Sequence, residues 1–260
     1  MGPYLVSGRL MSDRVPDVSI IEIGEVELNE PLVVLGFVGP GLVGGIAVAY
    51  IIDQLKMEEI ARVRSKYTPP AVIFVGGQLR HPFRIYANSE GTLCLIVCET
   101  TIRFEGAYQI SSVLLDWLES KKARELVVLE GLHVRSLPKV NKVYCAAESE
   151  KIKECLEKGI EPIPLGIIQG IAGSILSECL IRKIIGLAFL TPTIAFTPDP
   201  EGAALLIDAL NKVYGLGIDT ADLLKEAEKI KQKLKDVAES HQHIRKAEER
   251  EAGSSEAIYT

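Results

Sequence analysis

Apolar runs and amphipathic stretches alternate along most of the chain. Residues 32–37 form a continuous apolar run of the kind that a sheet buries on both faces. Residues 41–55 follow with a helical period, and one face of that helix carries Val43, Ile46, Ala47, Tyr50 and Ile51. A buried strand that leads directly into an amphipathic helix is typical of α/β proteins, so the pattern predicts that class.

The same alternation continues to residue 214. Further strands are predicted at residues 19–23, 60–64, 71–75, 83–87, 92–98, 126–129, 142–146 and 184–190. Further helices are predicted at residues 104–120, 149–158, 166–183 and 199–214. Turn residues such as Pro69-Pro70 and Gly76-Gly77 separate the strands between residues 60 and 98, which indicates an antiparallel or mixed edge. Because no linker interrupts this order, we expect one mixed-sheet α/β body over residues 1–217.

Residues 218–252 are expected to form a charged helix of a different kind. Its apolar positions alternate at spacings of four and three, which is a heptad period: Leu223, Ala227, Ile230, Leu234, Val237, His241 and Ile244. A heptad pattern does not name its partner. Packing against the chain's own body and pairing with the same helix of another subunit therefore both stay open.

Residues 253–260 follow this helix and are expected to be a flexible tail. Gly253-Ser254-Ser255 break the helical pattern, and the sequence ends in Ile258, Tyr259 and Thr260. Isoleucine can be buried, tyrosine adds ring area and a hydroxyl, and the terminal carboxylate can accept hydrogen bonds from a lysine. Two interpretations follow: a docking tail that fills a pocket on a partner, or a terminus that frays.

A glycine-rich loop joins the first buried strand to its helix. It has the GxGxxG spacing at which a helix N-terminus can hold a dinucleotide pyrophosphate. That function also needs an acidic residue at the end of the next strand, but residues 64–67 are Arg-Ser-Lys-Tyr, and Pro40 removes one loop N–H. The loop is therefore predicted to serve a tight turn and close helix-on-sheet packing. Its structural glycines are Gly36, Gly39, Gly41 and Gly44.

Side chains that could catalyse a reaction are few. Glu99 and Glu130 each end a buried strand, where α/β enzymes often place an acid, although acids there also cap helices and anchor loops. His81 and His133 each follow a turn and have no neighbour that marks a base or a metal ligand. We expect no catalysis. The alternative that stays open is a nucleoside- or nucleotide-handling enzyme that uses the loop at residues 39–44 and one of these acids.

Composition narrows the choice of partners. The chain has 260 residues, is 47% hydrophobic and has a net charge of -6, so it can build a large core but offers nucleic acid no basic surface. We find neither a run of roughly 18 apolar residues, as a membrane span needs, nor a secretory leader. The five cysteines include no CxxC pair and are expected in the core. A cytoplasmic protein without metal or cofactor is expected.

Three glycine-containing segments together resemble the proteasome-assembly-chaperone family in its archaeal and bacterial branch. They are residues 36–44 (GFVGPGLVG), 128–132 (VLEGL) and 166–173 (GIIQGIAG). The resemblance covers roughly residues 15–215. It implies a phosphorylase-like α/β fold of three layers, a non-catalytic role, and self-association into a tetramer or another ring-like homo-oligomer.

The same resemblance gives the last three residues a function. Ile258-Tyr259-Thr260 is similar to the hydrophobic-tyrosine-any-residue tail by which an archaeal family member engages the mature proteasome and opens it. It implies an ATP-independent proteasome activator or assembly chaperone whose tail docks into α-ring pockets of the 20S core particle. The partner-binding residues are then Ile258, Tyr259 and Thr260.

Overall fold

A computed structural model describes residues 16–138, 140–194 and 197–225. The strands are β1 (Val18–Glu22), β2 (Leu32–Gly36), β3 (Glu58–Ser65), β4 (Ile73–Val75), β5 (Gln78–Arg80), β6 (Phe83–Ala87), β7 (Leu93–Cys98), β8 (Glu125–His133), β9 (Tyr144–Ala147), β10 (Glu161–Pro162) and β11 (Gly186–Thr193). The helices are α1 (Val43–Gln54), α2 (Ala107–Ser120), α3 (Ser149–Glu157), α4 (Gly170–Arg182) and α5 (Pro200–Tyr214).

One mixed sheet organises the described residues, with strand order β1-β3-β6-β7-β2-β8-β11-β9-β10. At its centre β7, β2, β8 and β11 run parallel to one another. Toward one edge β7, β6, β3 and β1 pair antiparallel. The antiparallel edge expected between residues 60 and 98 is therefore confirmed.

Helices cover both faces of the central strands, which explains why β2 is apolar throughout. Val33 and Leu35 belong to the core cluster under α2 and α4, whereas Leu32 and Val34 belong to the cluster under α1 and α5. All five cysteines are buried and free, as predicted. The mixed sheet between two helical layers confirms the predicted fold class.

The helix expected from residue 166 begins only at Gly170. This glycine has a φ of 69°, a conformation that side chains other than glycine adopt with strain, and Gln169 before it is extended. Residues 166–169 therefore form a non-helical segment at the carboxyl ends of the central strands. Strands β8 and β11 are longer than predicted. They pair with each other as far as His133 and Thr193, at the same end of the sheet as residues 166–169.

A small hairpin replaces the strand expected at residues 71–75. Strand β4 covers only the end of that range and pairs antiparallel with β5, which the sequence analysis missed. Gly76 and Gly77 form the turn between them, and both have positive φ, as a two-residue hairpin turn requires. The two strands form a separate sheet, so the hairpin is an addition to the body and not part of its core.

The described residues end in the first turn of the expected tail helix. Residues 221–225 are helical, and Leu223, the first heptad position, is buried in the core cluster under α1 and α5. The heptad positions from Ala227 onward and the tail at residues 253–260 lie outside the described residues. The boundaries of the three expected segments therefore stay predictions. None of the helices described is long and apolar enough to span a bilayer.

Candidate functional site

The loop between β2 and α1 brings backbone segments too close for a side chain. A Cβ on Gly36 would lie 2.1 Å from the carbonyl oxygen of Gly44, and a Cβ on Gly44 would lie 2.1 Å from that of Leu129. Gly41 has a φ of 64°, and its Cβ would lie 2.2 Å from Thr193 Oγ1. Such distances require the backbone or a buried side chain to move. They favour the packing role expected for these glycines, which stays a prediction until variants are measured.

Gly39, the remaining loop glycine, lies against a carboxylate. A Cβ on Gly39 would lie 2.1 Å from Glu130 Oε1, which in turn accepts a hydrogen bond of 3.0 Å from the Gly131 N–H. The pyrophosphate that the GxGxxG spacing could hold would sit beside this loop. Because two negative groups repel each other in a partly dehydrated site, Glu130 disfavours the nucleotide-handling alternative.

Gly39 and Glu130 line a cavity of about 570 Å³ at the carboxyl ends of the central parallel strands. The loops after β2 and β7, the ends of β8 and β11, and the segment before α4 enclose it. Its apolar walls include Phe37, Ile102, Leu132, Ile168, Ile171 and Leu190, and its polar side chains are Thr100, Glu130, His133 and Gln169. The direction in which successive strands are added to the sheet changes here, because β2 lies between β7 and β8. Open α/β sheets commonly bind ligands at such a place.

Glu130 is the cavity residue whose pKa is shifted far from its ordinary value. Burial of the side chain raises the pKa of its carboxyl from 4.5 to about 7, and the hydrogen bond from the Gly131 N–H opposes that rise only partly. Among the described residues that line the cavity, none is a lysine or an arginine. Glu130 therefore changes its charge close to neutral pH.

Glu99, the other strand-end acid, has a different environment. Its carboxylate forms an ion pair with the guanidinium of Arg84, a residue of β6 that is 3% exposed. Arg84 also donates from Nε to Tyr86 Oη at 2.7 Å and from Nη1 to the His81 carbonyl. Glu99 is thus the solvent-exposed member of a polar network, centred on the buried Arg84, that links β6 to the end of β7.

The remaining candidate side chains have local partners. His81 Nδ1 hydrogen-bonds the backbone of Phe83. His133 lies in the cavity wall. The described ranges contain no group of three or more His, Cys, Asp and Glu residues suited to a metal ion. Ile258, Tyr259 and Thr260, the predicted partner-binding residues, lie outside these ranges.

Sequence reasoning missed the part of the cavity that the segment before α4 provides. Residues 167–170 line it, whereas the apolar pattern predicts that they belong to the helix at residues 166–183. The signal that could have corrected this was Gly170, since a glycine within a helical pattern often marks a helix boundary. Glu130 was a candidate, but its contact with Gly39 joins residues that are 91 positions apart, and spacing does not reveal such a contact.

Comparison with known proteins identifies the family. The model of the PAC2 family matches residues 33–238. The chain belongs to the PAC2 family. The resemblance to proteasome-assembly chaperones that the three glycine-containing segments predict is thereby confirmed. The PAC2 match includes every residue that lines the cavity.

Solved structures and a sequence relative of this PAC2 chain span nearly its whole length. A Thermoplasma acidophilum protein of unknown function is 38% identical, with 85% of this chain and 91% of that one covered and a TM-score of 0.73. Pyrococcus furiosus PbaA, an archaeal homolog of proteasome-assembly chaperone, is 26% identical, with 94% and 100% covered and a TM-score of 0.80. An uncharacterized protein of Methanocaldococcus jannaschii is 29% identical over 87% of this chain and 93% of its own length.

Proposed function

We propose that this PAC2 protein is an ATP-independent proteasome activator or assembly chaperone. It docks Ile258, Tyr259 and Thr260 into pockets of the α-ring of the 20S core particle. The observation that carries the proposal is the likeness to PbaA, an archaeal homolog of proteasome-assembly chaperone, over 94% of the chain. Because the sequence has no Walker motif, the energy for opening or assembling the ring comes from binding.

Contacts between residues 218–223 and the body support a tail that begins at a fixed position on each subunit. The side-chain amide of Asn211 donates to the Ile218 carbonyl at 2.8 Å and accepts from the Ile218 N–H at 2.9 Å. Tyr50 Oη donates to the Asp219 carbonyl at 2.9 Å, and Leu223 is buried beside α1 and α5. The start of the tail helix is thus anchored to the body, so each subunit presents the residues that follow from the same place.

Several subunits are needed for this mechanism. A plug of three residues buries little surface, whereas linked tails share a high effective concentration. The body has large apolar side chains exposed to solvent that a second subunit could cover: Phe74, Leu79, Phe104 and Ile167 are 73%, 74%, 77% and 83% exposed. Exposed apolar side chains in such number are typical of interaction surfaces and support self-association into a tetramer or another ring.

Co-sedimentation with an archaeal 20S core particle, followed by an assay of stimulated peptide hydrolysis, tests the proposal. The wild-type protein should bind and stimulate. Tyr259→Ala should reduce both at least tenfold, because it removes an aromatic anchor of the kind that dominates binding energy. One residue added after Thr260 should reduce binding and stimulation nearly as much, because it moves the terminal carboxylate away from the lysine of the α-ring pocket with which it would pair.

Ser255→Ala serves as the matched control, since it changes the same tail without touching the last three residues. It should bind and stimulate like the wild type. All variants are compared at equal oligomeric mass. If Tyr259→Ala and the extended protein both bind and stimulate like the wild type, the tail does not dock.

A further inference from the structure

The cavity beside Glu130 has the size and lining of a small-molecule site. Its volume of about 570 Å³ lies in the range of ligand pockets, roughly 300–1,000 Å³. Phe37, Ile171 and Leu190 give it apolar walls, and Thr100 and Gln169 add a hydroxyl and an amide. A ligand that fills it therefore has an apolar body and a small number of polar atoms.

Among the described residues, none gives the carboxylate of Glu130 a cationic partner in this cavity. Its Oε1 accepts from the Gly131 N–H, and Oε2 accepts no hydrogen bond from the residues described. Glu130 and His133 are the titratable side chains among those that line the cavity. The nearby acid Glu99 is neutralised by Arg84.

Asp199 at the start of α5 is likewise engaged elsewhere. It accepts hydrogen bonds from the Thr193 hydroxyl and the Gly202 N–H, both at 2.8 Å. The described protein groups around the cavity thus supply one acid without a countercharge. A partly buried carboxylate is stabilised most by a cation that also donates hydrogen bonds, and no described residue that lines the cavity supplies that cation.

Gly39 opens the space in which the carboxylate lies. A Cβ at this position would lie 2.1 Å from Glu130 Oε1 and 3.2 Å from Oε2. The φ of Gly39 is −145°, an extended value that any residue adopts, so its backbone does not require glycine. The glycine is required by the position of the Glu130 carboxylate in the cavity wall.

We propose that this cavity binds a small organic cation, an amine or amidinium on an apolar body, whose N–H groups donate to the Glu130 carboxylate. The apolar body packs against Phe37, Ile171 and Leu190. Gln169 and Thr100 accept from the remaining N–H groups. Anions are repelled by Glu130, and a neutral isostere leaves the carboxylate without a countercharge. This inference goes beyond the proposed function and does not depend on the tail.

Titration calorimetry with two pairs of probes tests the inference on the full-length protein. Benzamidine and phenethylamine are the cations, and benzamide and phenethyl alcohol are their neutral counterparts. The cations should bind, and the neutral compounds should bind at least tenfold more weakly. Because Glu130 ionises with a pKa of about 7 and the probes stay cationic, cation affinity should rise about tenfold from pH 6 to pH 8.

Variants separate Glu130 from the rest of the cavity. Glu130→Gln keeps the shape and removes the charge, so it should lose both the preference for cations and the rise with pH. Gly39→Ala should weaken cation binding because it displaces the carboxylate. His133→Asn removes the other titratable side chain and should keep the rise with pH.

Folding of each variant is checked by circular dichroism, and the comparison of cationic with neutral probes needs no variant. Three results would each overturn the inference. Neither cation binds at millimolar concentration, the neutral probes bind as tightly as the cations, or a folded Glu130→Gln protein binds the cations like the wild type.

Discussion

Two glutamates, one directly after β7 and one within β8, have different electrostatic environments. Glu99 follows β7 and faces Arg84, whose buried guanidinium donates hydrogen bonds to Glu99, Tyr86 and the His81 carbonyl. Glu130 lies in β8, contacts Gly39 and lines the cavity. The first acid bridges β6 and the end of β7, and the second lines the cavity.

The neighbouring strands cause this difference. Strand β7 pairs with β6, which runs antiparallel and brings Arg84 opposite Val97, two residues before Glu99. Strand β8 lies between β2 and β11, and Glu130 is paired with Leu190. The acid at the antiparallel edge thus meets Arg84, a buried cation of β6, whereas the acid among the parallel strands meets apolar residues and glycine.

The largest expected effect comes from breaking the ion pair. Glu99→Gln leaves the Arg84 guanidinium buried without a countercharge, and removal of one partner from a buried pair costs about 3 kcal/mol or more. Because Glu99 is itself a third exposed, we expect about 3 kcal/mol lost from the free energy of unfolding. Urea denaturation at pH 7 measures it.

The double variant Arg84→Leu/Glu99→Leu is the control for that loss. It removes both charges, and apolar replacements of a buried pair are often neutral, so most of the stability should return. If Glu99→Gln unfolds at the same urea concentration as the wild type, the ion pair does not stabilise the edge and the contrast with Glu130 is lost.

A second effect concerns pH. The folded-state pKa of Glu130, about 7, lies above its ordinary value of 4.5, so the folded chain holds this proton more tightly than the unfolded chain does. The stability that Glu130 contributes is fully present below pH 4.5 and is lost as the pH rises through 7. Between pH 5 and pH 8 we expect that contribution to fall by about 2 kcal/mol.

Glu130→Gln isolates this contribution because glutamine does not titrate. The difference in free energy of unfolding, wild type minus variant, should fall between pH 5 and pH 8. The contributions of the carboxylates that both proteins share cancel in this difference. A constant difference across this range would show that Glu130 has an ordinary pKa and that burial does not distinguish it from an exposed acid.

Much of the fold follows from local pattern. The apolar run of β2 and the helical period of α1 predict both elements, because burial on two faces and on one face leave different periods in the sequence. The helix predicted from residue 166 begins only at Gly170, whose positive φ decides the structure against the apolar pattern. At the β4–β5 hairpin the predicted Gly76-Gly77 turn and part of the predicted strand are present, and the short strand β5 is absent from the prediction.

The candidate site could be predicted only in part. The sequence does not distinguish Glu99 from Glu130, since each follows an apolar run, and it places Glu130 at the end of a strand that in the structure continues to His133. Their difference depends on Arg84 and Gly39, which are 15 and 91 residues away from their acids. Such long-range contacts follow from the order of strands in the sheet, and the hydrophobic pattern does not determine that order.

The smallest expected effect comes from Gly39→Ala. The added Cβ meets only the end of the Glu130 side chain, which can rotate toward solvent, so we expect about 1 kcal/mol lost from the free energy of unfolding. Once displaced, Glu130 is better hydrated and its pKa falls toward its ordinary value, so the stability difference between pH 5 and pH 8 should also shrink.

Gly45→Ala is the matched control, because its Cβ would meet nothing closer than the Phe37 carbonyl at 3.7 Å. It should be neutral or stabilising and keep the full pH dependence; equal behaviour of the two variants would show that Gly39 does not position the carboxylate.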